Sequence, residues 1–279
     1  MSELPLSIKQ AIRKYEPIVT DGITLYPVRV WQYEDFAIAK PALEVLQQSL
    51  PVAMMRIPLL SALYQMDFES AIRGETPTGL FSRALLILAL SLRLGEGQET
   101  AARMNMFRIV ADHEKPEHLI ALRYVNSEGE TKEISPALFQ KLRPIIAAQN
   151  GVKLESDMAD PDLVQAEKDL AEMNGVSLCA NIEDLVSALA ITSGQEESDI
   201  YDWAILKLVN RQRSFQRILD YMICGIGQVN GTSWKGGNPH PSPFFDKAED
   251  GGFGSHMALG DFAGGAGERA IANAGEQVI

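Results

Sequence analysis

The chain has 279 residues, 46% of them hydrophobic and 22% charged, the proportions of a globular protein long enough to bury a core without disulfides or metals. Its 25 Lys and Arg stand against 37 Asp and Glu, a net charge of −12. That balance excludes broad phosphate-tracking on nucleic acid and attraction to an anionic lipid surface.

The opening MSELPLSIKQAIRKYEP lacks an apolar signal core, and residues 5–16 are expected to form a short amphipathic helix. Ile23–Trp31 (ITLYPVRVW) alternates enough to suggest a strand, with Pro27 placing it at an edge or bulge. From Tyr33 to Leu94 the pattern is helical, with Phe36, Leu43, Leu46 and Leu50 on one face. Pro41, Pro51, Pro58 and Pro77 divide this stretch into several short helices. A helix over Leu80–Leu94 follows the Thr76-Pro77 and Gly79 break and ends at Gly95-Glu96-Gly97. Its apolar stretch Ala84–Leu92 is too short to span a bilayer and reads as a buried helix.

Residues 105–135 change character. NMFRIVAD, HLIALRYV and ETKEIS read as three strands of a β-meander, joined by the turn segments HEKP and NSEG. Ser135-Pro136 then reads as the N-cap and first residue of a helix that stops at Asn150-Gly151, with Pro144 expected to kink or split it. Residues 153–200 hold twelve Asp/Glu and two Lys, a net of −10. Helices are expected over Asp160–Met173 and Asn181–Ala190, with GQEESD as a linker. An amphipathic helix follows over Asp199–Gly225, where Trp203, Leu206, Val209, Phe215, Leu219 and Met222 are expected to share a broad apolar stripe.

Beyond Val229, GTSWKGGNPHPSPFF cannot continue a helix. Residues 246–279 hold too few large apolar groups to offset the entropy of ordering, so this tail is expected to be disordered. The expected fold class is α+β, predominantly α-helical with a small antiparallel β-meander and a disordered C-terminal tail. The expected organisation is a helical region with the meander over 1–150, an acidic helical segment over 151–200, a helix with an aromatic and Pro-rich docking segment over 201–245, and the tail over 246–279.

No motif points to catalysis. His113-Glu114-Lys115-Pro116-Glu117-His118 has Glu where a zinc-binding helix needs its second His, and Pro116 breaks that helix, so a hairpin turn is the better reading. Gly225-Ile226-Gly227-Gln228-Val229-Asn230-Gly231 has Asn where a dinucleotide loop needs Gly, and a helix C-cap accounts for it better. The acidic segment lacks the glycine-centred twelve-residue calcium loop. Cys179 and Cys224 lie far apart in apolar surroundings and read as buried free thiols. Met54, Met55, Met66, Met104 and Met106 read as core first and as an adaptable binding patch second. No catalytic residue, cofactor or metal ligand is assigned.

What remains is surface for a partner. Trp203, Phe215, Trp234, Phe244 and Phe245 are the candidate apolar contacts, with Trp234, Phe244 and Phe245 equally able to fold back onto the helical body. Arg211, Arg213 and Arg217 form a basic patch for contact with the acidic 153–200 stretch, within one chain or between subunits.

DLVSALAITSG, a linker, and then YDWAILKLVNRQRSFQRILDYMICGI together resemble the tail assembly chaperones of long-tailed bacteriophages of Gram-positive hosts. The opening TLYPVRVWQYEDF, and EISPALFQKLRPIIAAQNGV after the meander, extend the resemblance over roughly residues 20–245. It rests on diffuse apolar and aromatic positions. It implies a non-enzymatic protein of the infected host's cytoplasm, absent from the mature virion. Its partner would be the tape measure protein, kept soluble until tail tube protein replaces the chaperone, with homo-oligomers as a further form. A structural part of a phage tail or related injection apparatus is the alternative. The family's frameshift-extended products also draw attention to Gly236-Gly237-Asn238, whose codons permit a slippery heptamer.

Overall fold

The computed structural model describes residues 4–155, 181–234 and 238–244. In chain order, α1 (Leu6–Lys14) leads into a hairpin of β1 (Ile18–Thr20) and β2 (Ile23–Leu25). A 3-10 turn over Val30–Gln32 precedes α2 (Tyr33–Ala39), α3 (Pro41–Glu44), α4 (Leu59–Arg73), α5 (Leu80–Leu92) and α6 (Thr100–Met104). Then come β3 (Arg108–Ala111), β4 (Leu119–Val125) and β5 (Thr131–Ile134), followed by α7 (Pro136–Gln149), α8 (Ile182–Ser193), α9 (Glu197–Tyr201) and α10 (Ile205–Val229). The fold is α-rich α+β, as the sequence predicts. The expected Asp160–Met173 helix, Cys179, Phe245 and the 246–279 tail lie outside the described residues.

The chain divides into two units, the first ending at Val209 and the second starting at Asn210. In the first, α5 is the centre. Every residue from Ala84 to Leu92 is buried, because α2, α3, α4, α6 and β2 all pack around it. A helix that is apolar all round has no solvent face to offer. Arg93 in the left-handed region ends it. The main core joins α5 to Leu25 and Val28, to Leu59, Leu60 and Leu63 of α4, to Leu122 and Ile134 of the meander, and to Phe139 and Ile146 of α7. Met54 belongs to this core, and Met55, Met66, Met104 and Met106 pack against it. All five methionines are therefore packing residues, and an adaptable Met patch does not form from them.

The meander pairs antiparallel in the order β3-β4-β5, with Ile109 opposite Leu122 and Leu122 opposite Ile134. Ser135 caps α7, its hydroxyl oxygen accepting from the Leu138 amide at 3.2 Å. Pro144 sits inside α7 without splitting it, contrary to one of the two outcomes expected for it. Asn150 and Gly151 close the helix as expected, with Gly151 at φ 72°.

Three boundaries differ from expectation. The strand expected over Ile23–Trp31 is instead a hairpin, Ile18–Thr20 against Ile23–Leu25. Asp21 and Gly22 both take positive φ, 47° and 74°, the combination a two-residue hairpin turn requires. GQEESD is a linker only at its start, since α9 begins at Glu197. The helix expected over Asp199–Gly225 is two helices, because residues 203–205 are drawn into backbone pairing elsewhere. The Val30 amide donates to the Trp203 carbonyl at 2.9 Å, and the Ile205 amide donates to the Val28 carbonyl at 2.9 Å. Val30 joins Val186, Leu189, Ile200 and Leu208 in a small second core beside this clamp.

Buried polar groups hold the turns. Arg143 donates to the Leu43 carbonyl through Nε at 2.9 Å and Nη2 at 2.7 Å, and to the Val45 carbonyl at 2.6 Å. It thereby binds the C-terminal end of α3, where orphan carbonyls need donors. Asn150 Oδ1 accepts from the Val28 amide at 2.8 Å while its Nδ2 donates to the Ile146 carbonyl at 2.8 Å.

Candidate docking face on the last helix

The second unit is built on the C-terminal part of α10. Its end is a Schellman motif: the Gly231 amide donates to Gln228 at 3.0 Å and the Thr232 amide to Gly227 at 2.8 Å. Gly231 takes φ 84°. The cap expected from the glycines is therefore present, but the helix runs through Gly225 and Gly227 and stops only at Asn230-Gly231. Neither interior glycine adopts positive φ, so nothing in their backbone forces the helix to stop.

At 100° per residue, Phe215, Leu219, Met222, Ile226 and Val229 fall within about 40° of one line. Their steps of four, three, four and three residues are the spacing of a coiled-coil seam. Ile218 and Ile223 flank the line. From Leu219, 41% exposed, to Val229, 88% exposed, this face is open to solvent, with Ile218, Met222, Ile223 and Ile226 between those limits. Those six side chains offer on the order of 700 Å² of apolar surface, above the few hundred Å² that a soluble chain leaves bare without a use for it.

The opposite side of the helix is covered by the chain's own following segment. A Cβ added at Gly227 would lie 3.3 Å from the Trp234 ring, so the absence of a side chain there admits the indole. Arg217 Nη1 donates to the Phe244 carbonyl at 3.3 Å, and Cys224, on this same side, is buried.

The expected site residues separate accordingly. Phe215 lies on the open face, half-buried. Trp234 folds back on Gly227, while Phe244 is 73% exposed. Trp203 precedes α10 and packs against the small second core, with Lys207 Nζ 3.9 Å over its ring. Arg211 and Arg213 are exposed, and Arg217 holds the returning segment. The single broad stripe expected from Trp203 to Met222 does not exist. Leu206 sits roughly 140° around the helix from Leu219, and its Cδ1 is 3.1 Å from where a Cβ on Gly151 would stand. Val209 packs against the main core.

Ile218, Ile223, Ile226 and Val229 are the members that the motif reading missed. Ending the helix at Gly225 hid Ile226 and Val229, and drawing the stripe from Trp203 onward passed over Ile218 and Ile223, although the four-three spacing from Phe215 was there to be counted.

Elsewhere the chemistry is sparse. Residues 112–118 form the turn between β3 and β4. Asp112 Oδ1 accepts from the Glu114 amide at 2.8 Å and the Lys115 amide at 3.3 Å, which holds its carboxyl below the usual range. Tyr64 donates its hydroxyl to the Pro116 carbonyl at 2.9 Å, fastening the turn to α4. A shallow polar groove is lined by Tyr26, Tyr124, Asn126, Glu128, Glu130 and Lys132. Lys132 bridges to Glu130 at 2.8 Å, and that bond with its charge lowers the Glu130 carboxyl. Burial raises Tyr124. Among the described residues no group of three or more His, Cys, Asp or Glu is placed to hold a metal ion, and no helix is long and apolar enough to cross a membrane. No family model, curated protein or solved structure matches the chain.

Proposed function

We propose that this chain is a non-enzymatic chaperone of phage tail assembly. Its client is the tape measure protein, kept soluble in the cytoplasm of the infected host until tail tube protein takes its place. The observation that supports this reading is the open apolar face of α10 from Phe215 to Val229. A helical client with apolar residues at three- and four-residue steps lays its own stripe along such a face, as helix-in-groove partners do. Phe215 and Met222 adapt to varied side chains, Met through its flexible, polarizable thioether. The net charge of −12 keeps such a complex in solution.

The test is co-expression with a phage tape measure protein. The full chain is expected to move the tape measure protein from the pellet to the soluble fraction. Met222→Lys and Ile226→Lys are expected to abolish that rescue while remaining soluble themselves. No rescue by the full chain refutes the proposal. Abundant recovery of the chain from purified particles by mass spectrometry would instead support a structural role in the tail.

A further inference from the structure

We propose that a second copy of this chain covers the Phe215–Val229 face before any client binds, two α10 helices packing along that stripe in a two-fold symmetric dimer. The inference concerns the free chain and does not rest on the identity of the client. Four observations carry it.

The first is spacing. Phe215, Leu219, Met222, Ile226 and Val229 step four, three, four, three, which lets two identical helices interdigitate along their whole contact. A two-fold dimer uses the same patch on both subunits, so self-complementarity of one stripe is sufficient. The second is area. Exposures from 41% at Leu219 to 88% at Val229 leave on the order of 700 Å² per chain, hence roughly 1,400 Å² for two, inside the range of about 1,200–2,000 Å² for specific interfaces.

The third is charge. The positions flanking the stripe are Arg211, Ile218 and Gly225 on one side and Gln216, Ile223 and Asn230 on the other. In a parallel pair Arg211 meets Gln216 and Ile218 meets Ile223, so no like charges oppose one another. Gln212, one heptad before Leu219, places a polar residue at the start of the seam and favours one register. The fourth is the side already taken. Trp234 lies against Gly227 and Arg217 bonds the Phe244 carbonyl on the side opposite the stripe, so a second helix meets the apolar side and not that one.

Sedimentation of the full chain across concentrations up to about 100 μM, where even a weak micromolar pair is populated, tests the inference. The expected result is twice the 30.6 kDa chain mass. Leu219→Lys and Ile226→Lys are each expected to raise the dimer dissociation constant at least tenfold with unchanged helical circular dichroism. Ile191→Lys, an exposed apolar residue on α8 (84%), controls for a mere change of surface polarity and is expected to leave the dimer intact. A wild-type chain that stays monomeric throughout overturns the inference without involving any variant. So does a dimer that neither lysine substitution weakens. A monomer that nonetheless solubilises the tape measure protein would overturn the dimer and leave the proposed function standing.

Discussion

Replacing Asp35 with alanine removes the carboxylate that neutralises Arg103. The Arg103 side chain is 3% exposed and Asp35 18%, at 2.9 Å, and Asp35 also accepts a hydrogen bond from the Thr100 hydroxyl. Breaking a buried pair by removing one partner costs about 3–5 kcal/mol, since the other charge stays buried. Arg103 retains one bond, from Nε to the Gly95 carbonyl at 3.1 Å, and Asp35 is partly wet, so the low end applies. The expected loss is about 3 kcal/mol, read in urea as a midpoint lower by roughly 1 M at unchanged slope. Tryptophan fluorescence reports the site locally, because the guanidinium lies 5.5 Å from the Trp31 ring; Trp203→Phe and Trp234→Phe remove the other two signals. Asp35→Leu combined with Arg103→Met is expected to recover much of the loss, since no uncompensated charge remains. A midpoint shift under about 0.3 M for Asp35→Ala, or strict additivity of the double substitution, refutes the reasoning.

Asn150→Ala is expected to cost about 1–3 kcal/mol, because it orphans the buried Val28 amide; hydrogen exchange should show that amide losing protection. Asp112 is held as a carboxylate by two backbone amides, so its folded-state pKa lies below its unfolded one. The support it gives the β3–β4 turn is therefore present at neutral pH and is lost as pH falls through that lowered value. An NMR titration of its carboxyl is expected to show a midpoint below that of an ordinary Asp, and a midpoint at or above it counts against the geometry.

Local chemistry was legible where one residue decides the outcome. Ser135-Pro136 announces a helix start because the hydroxyl and the missing N–H both suit the first turn, and α7 begins there. Ala84–Leu92 announces burial by having no polar side. The β1–β2 hairpin was legible too, in Asp21-Gly22 between two β-rich triplets, but a reading that began at Ile23 passed over it. The division between α9 and α10 was not legible. It depends on Val28 and Val30 capturing the backbone of residues 203–205, a pairing across more than half the chain that no local pattern encodes. The docking face lay in between: its spacing is in the sequence, but its exposure depends on what the rest of the molecule leaves uncovered.

That distant clamp has a kinetic consequence. Val30 and Trp203 are over 170 residues apart, but with the core around α5 formed as far as Leu154 the loop left to close is about 50 residues, at an entropic cost of roughly 3–4 kcal/mol. The main core around α5 draws on residues from Ile18 to Ile205 but is mostly complete by Leu154, so it can condense first. The small core of Val30, Val186, Leu189, Ile200 and Leu208 is then a late step. It waits for the last part of the first unit to leave the ribosome. During synthesis, Val30 spends that interval without its hydrophobic partners, and a chain that ends before Leu208 never supplies them all.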